Sequence, residues 1–470
     1  MALPPYVGYE NLIPSATVTA RYASSVYPAS NLNIEAVTKV LRTADMCVIL
    51  NGTDEYAYVA DHADFDPGGD MTFEFLLNPS AVTGARVIIQ HLGASNGYAV
   101  RMDGDELVVY LDGASNYVTT TINFFTVDTW VRGKVAYDAS AAEVSIYKNG
   151  VEVARANNST QTGCTVNGTL PTSLTNNTGS LYAFSDAAVA SVFAGQASYL
   201  CITSDEQDHG GYVDPDGANT VAYWPMDGLN GSSKIADISG NAHDLTVSGI
   251  TDPANFTTCT AYHWVNFNFT STQDPALLVI DRRHNLTDST TVKLFRQSPF
   301  EAYDLVTSGT ITEATTFILE FDDDPDVDWW LEFHDPDNVD GYLEIPMVYL
   351  GSKSALNLSF AIDFEDFDIT PVTIVNNSIN GDRRYQRGGK HYQFEYPWNL
   401  VTSNDTTIWR AVRDAAVIHP FVFSVDSTAA NTFFVNWLDV EKWGRKGIIQ
   451  STGVKKANMT FRELPGGVDQ

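Results

Sequence analysis

Carboxylates are the side chains of this sequence best able to do chemistry, and their spacing decides which kind. A Glu-x-Asp-x-x-Glu strand would put an acid and a nucleophile on one face, as glycoside hydrolysis requires. No such spacing occurs in residues 45–255. Asp103, Asp105 and Glu106 lie together, but Gly104 among them signals a turn, so they read as a solvated hairpin tip. Gly-x-Ser-x-Gly, His-Glu-x-x-His and phosphate-loop patterns are missing as well. No residue is therefore assigned a catalytic role, and the chain is expected not to be an enzyme. Asp205, Asp208, Asp214 and Asp216 crowd one stretch with Gly217 beside them. Hard cations take several carboxylate oxygens, so this stretch is the expected calcium site, with ordinary loop chemistry as the competing reading. Calcium is the one cofactor the sequence suggests.

Two further groups point to binding. Tyr98, Tyr110 and Tyr117, with His62 and Phe124 nearby in the chain, offer aromatic faces on which a sugar can stack. In a sandwich, alternating aromatics also serve as core, and both readings stay open. Arg383, Arg384, Arg387 and Lys390 form a basic island in an acidic chain. That island suits an acidic neighbouring subunit; a solvated turn around Gly388-Gly389 accounts for it equally well.

Composition limits the setting. The 470 residues predict two to four domains, and 44% hydrophobic with 12% aromatic residues is ample for packed cores. A formal net charge of −31 disfavours nucleic acid and anionic membrane as partners, since phosphate binding needs clustered Lys and Arg. The four cysteines, Cys47, Cys164, Cys201 and Cys259, are too sparse for a disulfide scaffold and lack metal-ligand spacing. The opening Met-Ala-Leu-Pro-Pro-Tyr has neither a basic region nor a continuous apolar run, so no signal peptide is expected. No apolar stretch is long enough for a membrane span.

Nearly every segment has the period of a strand. Met71-Thr-Phe-Glu-Phe-Leu-Leu, Glu106-Leu-Val-Val-Tyr-Leu and Thr316-Phe-Ile-Leu-Glu-Phe alternate, and Gly, Asn, Asp and Pro bound such runs. Asn149-Gly150 between two alternating runs predicts a two-residue hairpin turn. One short helix is expected from Asn404/Asp405, with Ile408 and Val412 on its apolar face.

Three separated fragments resemble one domain. Tyr27-Pro-Ala-Ser-Asn31-Leu32, the run ending Asp281-Arg-Arg-His284-Asn285-Leu286, and His334-Asp335-Pro336-Asp-Asn338-Val-Asp-Gly341-Tyr342 resemble a discoidin-like β-domain of tailed-phage structural proteins. Between the first and second lies a block that resembles a laminin-G-like, concanavalin A-type jelly roll. Val48-Ile-Leu-Asn51-Gly52-Thr-Asp54, Asp128-Thr-Trp130 through Tyr137-Asp138 and Phe193-Ala-Gly195 carry that likeness. Ala222-Tyr-Trp224-Pro-Met226-Asp227-Gly228 through His243-Asp244-Leu245 usually opens such a domain and here ends it. A circular permutation would explain this, and it brings the block's ends together as an insertion requires.

The resemblance implies an all-β chain with a jelly roll, residues 45–255, inserted into a discoidin-like sandwich, residues 1–44 and 256–352. A C-terminal β-domain, residues 353–470, follows. Cys47 and Cys259 flank the block and are expected within roughly 15 Å of one another, both reduced. The implied function is a structural component of a tailed-phage virion, at the tail or tail tip. It would assemble in the host cytoplasm, oligomerise with itself and with other virion proteins, and present a lectin-like domain to host-surface glycan. A capsid decoration or head-fibre protein is the alternative. A carbohydrate-active extracellular enzyme with lectin-like modules is the alternative of another class.

Overall fold

The computed structural model describes residues 45–259 apart from Pro67, Asp216 and Ser232, most of 263–355, and shorter segments elsewhere, chiefly strands. The fold is all-β, as the alternating patterns predict. The Tyr27–Leu32 fragment lies outside the described residues. The chain divides into two compact units, one of Asp45–Ala261 and one of Met1–Ala44, Tyr262–Gln297 and Leu305–Gln470. Residues 353–470 thus fall within the second unit.

The Asp45–Ala261 unit is a jelly-roll sandwich of two nine-stranded sheets. One sheet runs Gln161–Thr162, Val151–Ala156, Glu143–Lys148, Val131–Asp138, Met71–Pro79, Ala194–Thr203, Asp45–Asn51, Phe256–Cys259, with Thr220–Pro225 also paired to Ala194–Thr203. The other runs Cys164–Asn167, Tyr117–Thr120, Glu106–Leu111, Gly97–Asp103, Ala85–Leu92, Leu181–Ala183, Tyr56–Val59, Leu245–Ser248, Lys234–Ile235. Period-2 alternation turns Phe73, Phe75, Val135, Val100, Val109 and Leu200 inward to one shared core, closed by Trp224 and Phe65. A Cβ on Gly133 would stand 2.1 Å from the Phe75 ring, so glycine is what lets that ring lie across its neighbouring strand. The Asn149-Gly150 turn forms as predicted. Both residues have positive φ, +52° and +82°, and Lys148 pairs with Val151 directly across it.

The ends of this unit meet on neighbouring strands. Asp45–Asn51 pairs antiparallel with Phe256–Cys259, with Thr257 opposite Cys47 and Cys259 opposite Asp45. Cys47 and Cys259 are therefore diagonal neighbours on adjacent strands, a spacing of about 7–8 Å in such sheets. All four cysteines are buried thiols, with no disulfide between them. The strand Thr220–Pro225 shares one flank of Ala194–Thr203 with Asp45–Asn51, the two lying end to end along it.

In the second unit, a five-stranded sheet (Thr17–Ala20, His263–Gln273, Asp326–His334, Thr291–Arg296, Leu305–Thr310) and a three-stranded one (Phe317–Glu320, Leu277–Ile280, Val348–Gly351) enclose a core around Trp329, Phe267 and Leu294. Val422 packs with Leu277, Val279 and Tyr349 on the outer side of the three-stranded sheet. Of the expected helix, Thr407, Ile408, Arg410, Ala411 and Val412 are helical, and Val412 is fully buried.

The His284-Asn285-Leu286 and Asp335–Tyr342 motifs are knotted together by hydrogen bonds. Asn285 Nδ2 donates to Asp340 Oδ2 and to the Tyr342 carbonyl, both at 2.9 Å, and its Oδ1 accepts the Glu344 N–H at 2.6 Å. Asn285 thus bridges to a segment more than fifty positions away, whose backbone groups it pairs. Asp335 is wholly buried and accepts from the Thr287 N–H, the Thr287 hydroxyl and Asn338 Nδ2. Removing it takes an acceptor from three donors, of which the Thr287 hydroxyl and Asn338 Nδ2 keep Ser289 Oγ and the Asn285 carbonyl as partners; a buried donor left unpaired costs about 1–3 kcal/mol. Asp335→Ala should lower the stability of this unit by about 1–3 kcal/mol, read from its urea midpoint. A midpoint unmoved by the substitution would show that the knot is decorative.

Candidate functional site

The two sheets of the jelly roll present different outer faces. On the Met71–Pro79 sheet, the outward row Cys201, Glu74, Lys134, Tyr147 lies in register across four strands. Residues 205–213 run over it and leave Glu74, Arg132 and Lys134 almost wholly buried. Glu74 Oε1 accepts from Tyr199 Oη at 2.5 Å, and Oε2 accepts the Val213 N–H at 3.1 Å. Arg132 donates to the Gly210 carbonyl and lies 3.8 Å over the Tyr212 ring. The same carboxylate stands 3.9 Å from both Arg132 Nη1 and Lys134 Nζ. Burial, partly opposed by Glu74, pushes the Lys134 ammonium down to about 8. Burial, with Lys134 and Arg132 nearby, likewise pushes His209 down to about 4, and its Nδ1 accepts the Gly211 N–H at 3.1 Å. The row around Glu74, Arg132 and Lys134 is thus a fastening for the overlying segment.

The four aspartates of the expected calcium site belong to this segment or its continuation. Asp208 accepts from Tyr147 Oη and pairs with Arg155 Nη2 at 2.6 Å. Burial alone would raise its carboxyl, but the hydrogen bonds from Tyr147, Arg155 and Ser145 outweigh that and hold it low. Asp205 accepts from Asn219 Nδ2 at 3.1 Å and Gln207 Nε2 at 3.4 Å. The Asp214 carbonyl accepts from Thr220 Oγ1 and the Gly217 N–H. Asp216 lies outside the described residues. Asp205 and Asp208 thus have protein partners of their own, and the described residues do not gather these carboxylates into one ion-sized group.

The opposite sheet leaves its outer face open. Across it run Tyr58, Tyr182, Gln90, Ala99, Tyr110 and Tyr117, each opposite the next. Tyr56, Tyr58 and Tyr182 form a triangle of half-buried rings with centroids 6.0–6.3 Å apart. Tyr110 and Tyr117 stand 5.2 Å apart, with the Arg101 guanidinium 5.0 Å from the Tyr110 ring centroid and bonded to Gln90 Oε1. Of the expected sugar-stacking tyrosines, Tyr110 and Tyr117 share this face. Tyr98 does not. It points inward, 1% exposed, between Phe73 and His91, because it is one residue out of phase with Ala99 and Arg101. Phe124 is also core. Tyr56, Tyr58 and Tyr182 were missed; the alternation Tyr56-Ala57-Tyr58 was the available signal.

Asp103, Gly104, Asp105 and Glu106 form a two-residue hairpin, with Asp103 opposite Glu106 and Gly104 at φ +62°. Arg383, Arg384 and Arg387 lie on the strand Arg383–Arg387, paired with Thr373–Asn377, and Lys390 is outside the described residues. No helix among the described residues is long and apolar enough to cross a membrane. One group of metal-capable side chains comes together among the described residues: His62, Asp64 and His243, at the rim of the sandwich.

Residues 51–192 match the model of the concanavalin A-like lectin/glucanases superfamily, laminin-G type. No curated protein matches the chain. Among solved structures the chain is similar to a Bacteroides ovatus protein with an assigned carbohydrate-binding role, at 16% identity and a TM-score of 0.36, over 47% of this chain and 68% of that one. It is similar to a Ruminococcus gnavus sialidase module bound to sialyllactose, at 8% identity and a TM-score of 0.27, over 37% and 95%. Tailspike protein 2 of the Escherichia coli O157:H7 bacteriophage CAB120 gives 12% identity and a TM-score of 0.25, over 38% and 30%. Scores this low carry no argument about function.

The buried row makes stability depend on pH with a definite sign. From about 8 to about 9 the unfolded chain holds a Lys134 proton that the folded one has released, so stability rises with pH; from about 9 the unfolded thiols of Cys201 and Cys164 ionise while burial keeps them neutral in the fold, which offsets that rise. Above 10 it falls, because burial holds Tyr98 and Tyr199 neutral in the fold while the unfolded phenols ionise. Between 6.5 and 4 it falls with acidification, since only the unfolded His209 takes up a proton. Denaturant midpoints against pH should show this profile; Lys134→Met should flatten the rise above pH 8, and His209→Gln the fall below 6.5. Glu74→Gln should cost about 3 kcal/mol or more, because two buried cations lose their counter-ion. Unchanged profiles in these variants would refute the assignment.

Proposed function

We propose that this chain is a structural component of a tailed-phage virion that binds glycan through the tyrosine-lined outer face of its jelly roll. The observation that carries the binding half is that face itself. Five half-buried tyrosines and Arg101 share it, whereas the central charged row of the other sheet's outer face is covered by its own chain. Sugar rings present C–H faces to aromatic rings and hydroxyls to polar groups. The tyrosine rings with their phenol hydroxyls, and Arg101, supply both. The match of residues 51–192 to a superfamily of lectins and glucanases supports the same substrate class. The virion half rests on the discoidin-like motifs, whose Asn285 and Asp335 knot has a structural reason to recur as a unit.

The activity is binding without turnover: the expected hydrolase motif is missing, and the Asp103–Glu106 carboxylates sit on a hairpin. On a glycan array, the full chain should bind a restricted set of bacterial surface glycans. Tyr58→Ala/Tyr182→Ala or Tyr110→Ala/Tyr117→Ala should weaken the positives by about 1–3 kcal/mol. Binding untouched by both doubles, or release of reducing sugar, would sink this reading. Immunogold labelling of phage particles tests the virion half: label at the tail supports it, label on the head moves the protein to the capsid, and unlabelled particles reject it.

A further inference from the structure

The rim of the jelly roll carries a second arrangement that the tyrosine face does not use. Residues 61–66 turn across one end of the sandwich, and Ala63–Phe65 forms a single 3-10 turn with His62 as its cap. Phe65 is fully buried beneath it, its ring 4.7 Å from that of His243. His243 arrives from the far end of the sequence and is held rigidly. Its N–H donates to Asp237 Oδ2 at 2.9 Å, and its carbonyl accepts the Trp224 indole N–H at 2.7 Å. The His62 ring lies 4.7 Å from the His243 ring. Asp64 sits between the two.

One oxygen, Asp64 Oδ2, faces both imidazoles: His243 Nε2 at 2.9 Å and His62 Nδ1 at 3.1 Å. His62 Nδ1 also accepts the Asp64 backbone N–H at 3.3 Å. Imidazole nitrogens and a carboxylate oxygen are the atoms that transition-metal ions take as ligands. Donors placed 2.0–2.1 Å from a tetrahedral ion stand about 3.3 Å apart; the carboxylate oxygen stands 2.9 and 3.1 Å from the two imidazole nitrogens. All three donor atoms lie within 4.8 Å of one another. The side chains of His62 and Asp64 are 53% and 45% exposed, against 7% for His243. One anchor is therefore buried, and two arms stand where an ion and its remaining water ligands can enter.

We propose that His62, Asp64 and His243 bind a divalent transition-metal ion, of the zinc, nickel or cobalt class, with open positions towards solvent. Two imidazoles and one carboxylate select such ions over calcium, which takes oxygen ligands. This site is separate from Asp205, Asp208 and Asp214, whose carboxylates are not part of it.

The test uses the full chain, stripped with a chelator and desalted. Zinc titration by calorimetry, with metal analysis after dialysis, should give one ion tied to this site, and Zn2+ should raise the melting temperature. Cobalt in its place should show the visible absorption of a nitrogen- and oxygen-ligated ion. His62→Ala and Asp64→Asn, both at exposed side chains, should each weaken zinc binding by at least about tenfold while leaving the circular dichroism unchanged. Calcium in excess should not displace the zinc. The proposal is overturned if the wild-type chain takes up no zinc or cobalt. It is equally overturned if both variants bind as wild type does, or if calcium displaces the zinc.

Discussion

The jelly roll depends on the pairing of one strand, Ala194–Thr203. On one side it pairs along its length with Met71–Pro79; on the other it pairs with Asp45–Asn51 and then with Thr220–Pro225. Both flanks of the irregularity around Ser198 are thereby used, and two segments distant in sequence share one edge. Because the opening strand takes half of that edge, the closing strand Phe256–Cys259 can add beside it, and chain entry and exit become neighbours. Backbone hydrogen bonding enforces this: each half of Ala194–Thr203 would otherwise bury an unpaired edge.

The same pairing separates the unit's two faces by chemistry. Outward positions on Met71–Pro79 and its neighbours are charged, and burying them is tolerable only because the overlying chain meets them. The overlying Val213 N–H and the neighbouring strand's Tyr199 Oη both donate to Glu74, and the Gly210 carbonyl accepts from Arg132 Nη2. Lys134 is the weak member, 3.9 Å from Glu74 Oε2, and burial therefore wins over attraction in its titration. On the opposite sheet the outward positions are tyrosines, which rest on the sheet without needing a cover and keep a polar end in water.

What the sequence disclosed follows from how local each feature is. The Asn149-Gly150 turn was legible because two adjacent residues dictate it. The alternation in Gly97–Asp103 was equally legible, yet it says only that Tyr98 and Ala99 face opposite ways; which way is in depends on the partner sheet. Tyr98 was accordingly assigned to the wrong face while Tyr110 and Tyr117 were not. The aspartates from 205 to 214 looked like an ion site because they are close in sequence. The Asp208 partners Arg155 and Tyr147 are remote, and the Arg155 guanidinium takes up its charge.

His62, Asp64 and His243 are the converse case. The 179 positions between Asp64 and His243 hide the group from any motif search. The pairing of Leu245–Ser248 with Tyr56–Val59 brings the Asp237–Leu245 segment back to the turn at 61–66, so the group is a product of the tertiary fold. The rim turn is held by Phe65 and by the His243 backbone whether or not an ion is present, so the donors are preorganised by packing rather than by the metal.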